Sequence, residues 1–435
     1  MTAVELVARL CARERSCTEV AESCLAAIAD DSLRAWVAHD PDRLLARAAE
    51  LDRLTAQERE RLALYGLPIG VKDAFDTIDL PTAYGSEIYR GHQPDRDAEA
   101  VRRLRAAGAM VVGKTKCTEF SWMAPADTLN PLDRSRTPGG SSSGSAAAVA
   151  AGTVPVATGA QTAGSINRPA SYCGVLGYKP TFGALPRGGV MPLAGSLDTV
   201  GLLARSVEDL LLTVTALASP DPLAPTNRPS QPSGLDGDAL GDRAPRLALV
   251  RTPYWSAVEP AAQSAIEAAA AAAERAGATV EEAEPDAELK SLTEAHRTIQ
   301  WVEGAATLGP ELRRVPELLS DELRSALHEG AAIPLGRYLE AQRTARVRSG
   351  PVHDVLARFD GVLTPSATGV PPVGLEFTGD SLFCRAWTLI GAPCVSVPIA
   401  WTAGGLPVSV QVVGGRMRDR RALETAAWLM RSVGS

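Results

Sequence analysis

Two glycine- and serine-rich loops lie close together in the sequence, Gly139-Gly140-Ser141-Ser142-Ser143-Gly144-Ser145 and Gly159-Ala160-Gln161-Thr162-Ala163-Gly164-Ser165-Ile166-Asn167-Arg168-Pro169. Upstream, Lys72 closes the apolar run Leu67-Pro68-Ile69-Gly70-Val71. A serine hydroxyl is a weak nucleophile at neutral pH and needs a base. A lysine can serve as that base only as the neutral amine, which requires burial to pull its pKa well below the free value of about 10.4. Lys72 stands where such burial is expected, the alternative being a structural salt bridge to Asp73. The small residues Thr162, Ala163 and Gly164 would let backbone N–H groups approach an oxyanion formed beside Ser165. Glycine and serine are also ordinary turn residues, so either loop alone reads equally well as a turn.

Two further motifs compete with this reading. Residues Gly108 to Thr115 fit the phosphate-loop pattern G-x-x-x-x-G-K-T. A phosphate loop, however, is a flexible bend that follows a strand, whereas here Ala109-Met110-Val111-Val112 is itself strand-like. Gly140-Ser141-Ser142-Ser143-Gly144 fits the G-x-S-x-G nucleophile elbow, which needs an apolar strand before it. Asn130 to Pro138 is polar and flanked by proline, so Ser142 is a poor elbow nucleophile.

The elements that would hold these groups follow from periodicity. Residues 2–55 carry apolar positions at helical spacing, such as Val4, Val7, Cys11 and Val20, Cys24, Ile28, which predicts a helical N-terminal layer over residues 1–60. From Tyr65 the texture changes to short apolar runs bounded by Gly and Pro: 67–71, 109–112 and 154–157. Helical patterns at 98–107 and 145–151 alternate with them, which marks residues 61–218 as an α/β catalytic core with strands buried on both faces. The stretch 219–245, rich in Pro, Asp, Gly and Ser, reads as an exposed loop or linker. Beyond it come strands at 247–250, 279–280, 361–364 and through 394–413, a helix over 260–276, and mainly helix from Ala287 to Phe359. No internal repeat divides the 435 residues, and the expectation is one domain over 1–435.

Composition narrows the function classes. A net charge of -7 with interleaved signs supplies no basic face for nucleic acid and no lysine stripe for an anionic membrane. The uncharged stretches 137–167 and 386–415 are respectively small-residue-rich and broken by prolines, which reads as buried core and not as spanning helix. The first residues lack the basic start and apolar run of a signal peptide, so the expectation is cytoplasmic. Seven cysteines without a C-x-x-C pair read as free thiols, and the five scattered histidines give no metal-ligand spacing. No cofactor and no metal is expected, and the expected partner is a small-molecule amide, with a homodimer compatible.

Taken together these motifs resemble the amidase signature family, whose hallmark is a Gly-Gly-Ser-Ser loop followed by a Gly-Ser nucleophile loop and preceded by a strand-borne lysine. The resemblance extends from Gly66-Leu-Pro-Ile-Gly-Val-Lys-Asp73 through Gly113-Lys-Thr115, Tyr172-Cys-Gly-Val-Leu-Gly-Tyr-Lys-Pro180 and Ser196-Leu-Asp-Thr-Val-Gly201 to Gly391-Ala-Pro-Cys-Val-Ser-Val-Pro398 and Gly405-Leu-Pro-Val-Ser-Val-Gln-Val-Val-Gly414. It implies an α/β fold with a large mixed, mostly buried β-sheet covered by helices on both faces. It also implies a triad in which Ser165 is the nucleophile, Ser141 on a cis peptide the proton relay, and Lys72 the base. Attack would give an acyl-enzyme, and the same relay run backwards would protonate the leaving amine.

The chain departs from many relatives of that family at Gln161, Ala163 and Asn167, with Arg168 three residues after the nucleophile. The run Gln-Thr-Ala-Gly-Ser-x-x-Arg-Pro is similar to the malonamidase branch, which implies that Arg168 reads a substrate carboxylate, with Gln161 and Ser143 as further substrate contacts. The alternative for Arg168 is an internal acid or carbonyl. For the protein, the alternatives are a carbamoyl-type hydrolase of biuret- or allophanate-like ureides, an amidotransferase A-type subunit, and an inactive scaffold or biosynthetic acyl-transfer protein on the same fold. Ser143 to Ser145, Tyr84 to Tyr89 and Phe377 to Trp387 are candidates for the leaving-group side.

Overall fold

The protein is described here from a computed structural model covering residues 1–218, 235 and 239–434. Among the described residues, eleven strands form one sheet: β1 (Trp36–Ala38), β2 (Pro68–Lys72), β3 (Met110–Thr115), β4 (Val156–Gln161), β5 (Leu176–Lys179), β6 (Thr199–Ala204), β7 (Arg246–Leu249), β8 (Thr279–Glu282), β9 (Gly361–Pro365), β10 (Cys394–Trp401) and β11 (Pro407–Val413). Their order is β1-β3-β2-β4-β6-β5-β10-β11-β9-β7-β8. Parallel pairs (β2 with β3 and β4, β7 with β8 and β9) and antiparallel pairs share this sheet. The expected large mixed sheet with helices on both faces is the one observed.

The central strands are covered on both sides, and their sequences reflect it. All residues of β2, β3 and β6 are buried, so they read as continuous apolar or small-residue runs without polar alternation. The apolar core runs unbroken from Leu6 and Val20 in the N-terminal helices, through Ile69, Val111 and Val156, to Leu423 and Leu429 of the C-terminal helix. Because β2, β3 and β4 run in the same direction, their C-terminal ends, Lys72, Thr115 and Gln161, reach one edge of the sheet. In parallel sheets that edge is where loops converge on ligands.

Two details differ from the sequence reading. The N-terminal layer contains, between its helices, strand β1, whose Trp36 pairs with Thr115. Three residues are too few for a period-2 signal, so the helical pattern around them concealed the strand. Strands β5 and β6 likewise are buried along their whole length, so their sequences show no polar alternation. Of the expected linker 219–245, residues 219–234 and 236–238 lie outside the described residues, while 242–245 lead directly into β7. The long uncharged stretches dissolve into short buried elements, and among the described residues no helix is long and apolar enough to cross a membrane. The seven cysteines are free thiols, six of them buried.

Candidate active site

Lys72, the last residue of β2, is completely buried. Its backbone N–H donates to Thr158 Oγ1 of β4 at 2.9 Å, which ties the two strand ends together. Its Nζ donates to Ser141 Oγ at 2.7 Å and to Ala160 O at 3.3 Å, and among the described residues no carboxylate lies within ion-pair distance. Burial pulls the amine's pKa from its ordinary 10.5 down to about 8, against smaller opposing contributions from Cys117 and Asp198. The suspected pairing with Asp73 does not occur, because Asp73 lies 3.5 Å from Lys114 Nζ instead. Lys114 also donates to Phe75 O at 2.6 Å and to Thr82 Oγ1, at the end of a fully buried strand. Its phosphate-loop pattern is therefore β-strand, with its lysine committed to the interior.

A consequence for stability follows. Lys114→Met leaves Asp73 buried without its cation, and losing one partner of a buried pair costs about 3–5 kcal/mol. A lower denaturant midpoint measured for Lys114→Met is the expected result, and an unchanged midpoint would contradict this structural role.

The Gly139–Ser145 loop crosses over the end of β3. Gly139 has positive φ, and the Gly140–Ser141 peptide is cis. Ser143 Oγ donates to Gly139 O at 2.7 Å, while Ser145 Oγ contacts Thr115 Oγ1 at 2.7 Å and donates to Thr158 O at 2.9 Å. Both hydroxyls therefore brace the loop. At Gly144 a Cβ would stand 2.2 Å from Ala35 O, so only glycine lets the helix Ser143–Ala150 start against that backbone. Ser142 Oγ is buried without a partner, and no strand precedes it.

The second loop leaves β4 at Gln161 and returns as the helix Asn167–Cys173. Gln161 is buried; its Oε1 accepts from Ile166 N and Asn167 N, and its Nε2 donates to Thr388 Oγ1. This amide braces the loop from within and does not line the cavity. The two loops meet where Ser142 N donates to Ser165 O at 3.3 Å. Among the described residues, the amides of Thr162, Ala163 and Gly164 donate to no protein acceptor, whereas those of Ile166, Asn167 and Arg168 all do.

Ser165, Ala163 and Arg168 share the wall of a cavity of about 400 Å³. The rest of its lining includes Trp122, Gln300, Trp301 and the segment Glu376–Ser381 with Arg385. Of the leaving-group candidates, the Phe377 segment is at this wall, while Tyr84 and Tyr89 pack against Phe120 and His92 elsewhere. Three arginines line the cavity. Arg385 pairs with Asp380 and Arg297 with Glu329. Arg168, though buried, donates through one terminal nitrogen to Gly140 O at 2.7 Å and Thr378 Oγ1 at 3.2 Å, and its Nε has no partner. No acid pairs with it among the described residues.

A family model described as Amidase matches residues 19–423. The chain belongs to the Amidase family. The A-type subunit of a glutamyl-tRNA(Gln) amidotransferase from Symbiobacterium thermophilum is 34% identical, the match covering 100% of this chain and 96% of that protein. Among solved structures, a chain from a vestigial protein complex that reveals the evolutionary origins of an s-triazine catabolic enzyme superposes with a TM-score of 0.89 at 31% identity, covering 100% of this chain and 99% of the other. The peptide amidase of Stenotrophomonas maltophilia superposes with a TM-score of 0.83 at 32% identity, covering 99% of this chain and 97% of the other. The protein is thus an amidase-family enzyme with the fold of its relatives.

Sequence reasoning missed several groups around the site of this amidase. His296, buried in the helix Asp286–Arg314, sits 2.8 Å from Thr162 O through Nε2. Asp198 accepts from Thr162 Oγ1 at 2.6 Å and from Leu193 N and Ala194 N. Gln300, one helical turn after His296, is buried, lines the cavity, and makes no side-chain hydrogen bond within the described residues. The helical run Ala287 to Phe359 was legible, but which of its turns approaches the sheet edge is a tertiary fact without a local signal.

Proposed function

We propose that this amidase hydrolyses the C–N bond of a small amide bearing a carboxylate, through an acyl-enzyme on Ser165. The observation that carries the reading is the 2.7 Å contact between Ser141 Oγ and a buried lysine amine that has no carboxylate partner among the described residues, beside a cavity lined by Ser165 and Arg168. Neutral Lys72 takes a proton from Ser141 as Ser141 takes the proton of Ser165. Ser165 Oγ bonds to the amide carbon, and the carbonyl π pair moves onto oxygen, where the amides of the 162–164 loop stabilise it. The pair then returns, the C–N bond breaks, and the relay delivers the proton to the departing nitrogen. Water repeats the sequence on the acyl-enzyme and releases the acid.

Arg168 supports the carboxylate. A buried guanidinium with free donors and no internal acid is costly unless a ligand supplies the anion, and its planar fork matches a carboxylate. A second reading rests on Gln300, whose unengaged carboxamide offers both a donor and an acceptor to the cavity and so suits a ureide. The amidotransferase relatives make a third role, in which the ammonia serves a partner protein.

The test is ammonia release from a panel of ω-amide monoacids, neutral amides, and carboxylated and neutral ureides, with the purified chain alone. Arg168→Ala is expected to raise KM for carboxylated substrates about 100-fold, as for loss of a charge-assisted pair worth about 3 kcal/mol, with little effect on neutral ones, and to abolish competition by malonate. Equal effects on charged and neutral substrates would sink the carboxylate reading.

A further inference from the structure

The three amides of the Thr162–Gly164 loop are free to meet an oxyanion only if their peptide planes are held. Two side chains from distant helices touch the loop's carbonyls. His296 lies 2.8 Å from Thr162 O, and since a carbonyl only accepts, Nε2 carries the hydrogen. Burial drives the ring's pKa down to about 3, so the imidazole is neutral, and its Nδ1 has no partner. Thr388, in the helix Leu382–Leu389, shares its hydroxyl proton between Ala163 O and Cys384 O, each at 2.9 Å, while accepting from Gln161.

A half-satisfied imidazole is a poor core filler, since burying an unpaired ring nitrogen costs free energy that a leucine or phenylalanine would avoid. Its single contact therefore calls for an explanation. In a trans peptide the C=O and the following N–H point in opposite directions across one plane, and the only cis peptide among the described residues is Gly140–Ser141. Holding Thr162 O against His296 turns the Ala163 N–H to the side away from the imidazole. Holding Ala163 O against Thr388 does the same for the Gly164 N–H. These are two of the amides without a protein acceptor, in a loop whose Ala163 lines the cavity beside Ser165.

We propose that His296 is a positioning residue for catalysis: its Nε2–H, from behind the loop, fixes the Thr162–Ala163 peptide so that the Ala163 amide meets the developing oxyanion, with Thr388 setting the Gly164 amide in the same way. The proposal rests on Ser165 being the nucleophile. It predicts a signature that packing alone does not produce, since the contact matters more when the carbonyl oxygen is charged than when substrate first binds.

The experiment uses the full chain with its best amide, and phenylboronic acid as a probe whose tetrahedral adduct on Ser165 places an oxygen in the oxyanion position. His296→Phe keeps an aromatic ring, somewhat larger than the imidazole, and loses the donor. The expected result is a fall in kcat of about 10- to 100-fold, somewhat less than for loss of an oxyanion donor itself, with KM within about twofold. Boronate affinity should fall by the same factor while that of the product carboxylate is unchanged, and His296→Gln should recover most of the loss. A folded His296→Phe with wild-type kcat overturns the proposal, as does a loss of boronate and product affinity in parallel. If His296→Phe does not fold, Thr388→Val reads the same signature through the Gly164 amide. Activity surviving in Ser165→Ala would instead overturn the reading of the nucleophile, so the two failures are distinguishable.

Discussion

Replacement of Ser165 by alanine is expected to lower amide turnover by at least about 10⁴-fold, the scale seen when a catalytic nucleophile is removed, while replacement of Ser142 changes it by no more than about threefold. The contrast is sharp because both serines sit in Gly-Ser loops of similar texture, and one satisfies a well-known elbow pattern. Ser165 lies in the turn two residues before the helix Asn167–Cys173, on the cavity wall, next to amides that donate to no protein acceptor among the described residues. Ser142 Oγ is buried and bonded to nothing, and what links Ser142 to the other loop is its backbone N–H, which alanine retains. The measurement is steady-state ammonia release, paired with mass spectrometry of the adduct left by a fluorophosphonate. The label belongs on the peptide carrying Ser165 and should be absent from Ser165→Ala. A label on Ser142, or a Ser142→Ala variant as dead as Ser165→Ala, would reverse the assignment.

Legibility followed the range of the physics involved. Lys72, Ser141 and Ser165 stand in loops or at a strand end whose glycines and apolar flanks are written locally, and the resemblance spans motifs from Gly66 to Gly414, so fold and triad candidates were visible in one dimension. The same local rules removed Lys114, because a strand and a phosphate loop cannot occupy the same residues. What the sequence left open was decided by packing between distant segments. Gln161 and Ser143 had the right polarity for substrate contacts, yet their side chains are engaged by the protein, Ser143 by Gly139 O and Gln161 by the amides of Ile166 and Asn167 and by Thr388. His296 and Gln300 carry no motif and come to the site because one helical face docks against the sheet edge. Arg168 stands between these cases. Its type was suggestive, but whether an internal acid neutralised it depended on residues far away in the chain, and the carbonyl alternative is met in part, by one nitrogen only.

Lys72 provides the second large effect, with its sign fixed by its surroundings. Burial holds the folded-state pKa at about 8, against an ordinary 10.5 for the exposed amine. As base it must be neutral, so kcat/KM is expected to rise with unit slope up to about pH 8 and then level off, since this ratio titrates the free enzyme. Lys72→Met should remove both the limb and about 10³-fold or more of the rate, general-base assistance alone contributing about 10²–10⁴. Stability runs the same way. Between about pH 8 and pH 10.5 the unfolded chain holds a proton that the folded chain lacks, so ΔG of unfolding rises with pH across that window. Below it both states are protonated, and the buried charge costs about 3 kcal/mol. Lys72→Met discards that charge, so the variant should be catalytically dead yet no less stable than wild type at pH 7, and its stability should lose the upward slope between pH 8 and 10. Denaturant midpoints at pH 7, 8.5 and 10, measured with the kcat/KM profile, test both halves at once. A flat rate profile from pH 6 to 9 would show that the amine beside Ser141 is not the group whose deprotonation switches the enzyme on. A Lys72→Met variant less stable than wild type at pH 7 would show that the lysine holds the strand ends together by its charge.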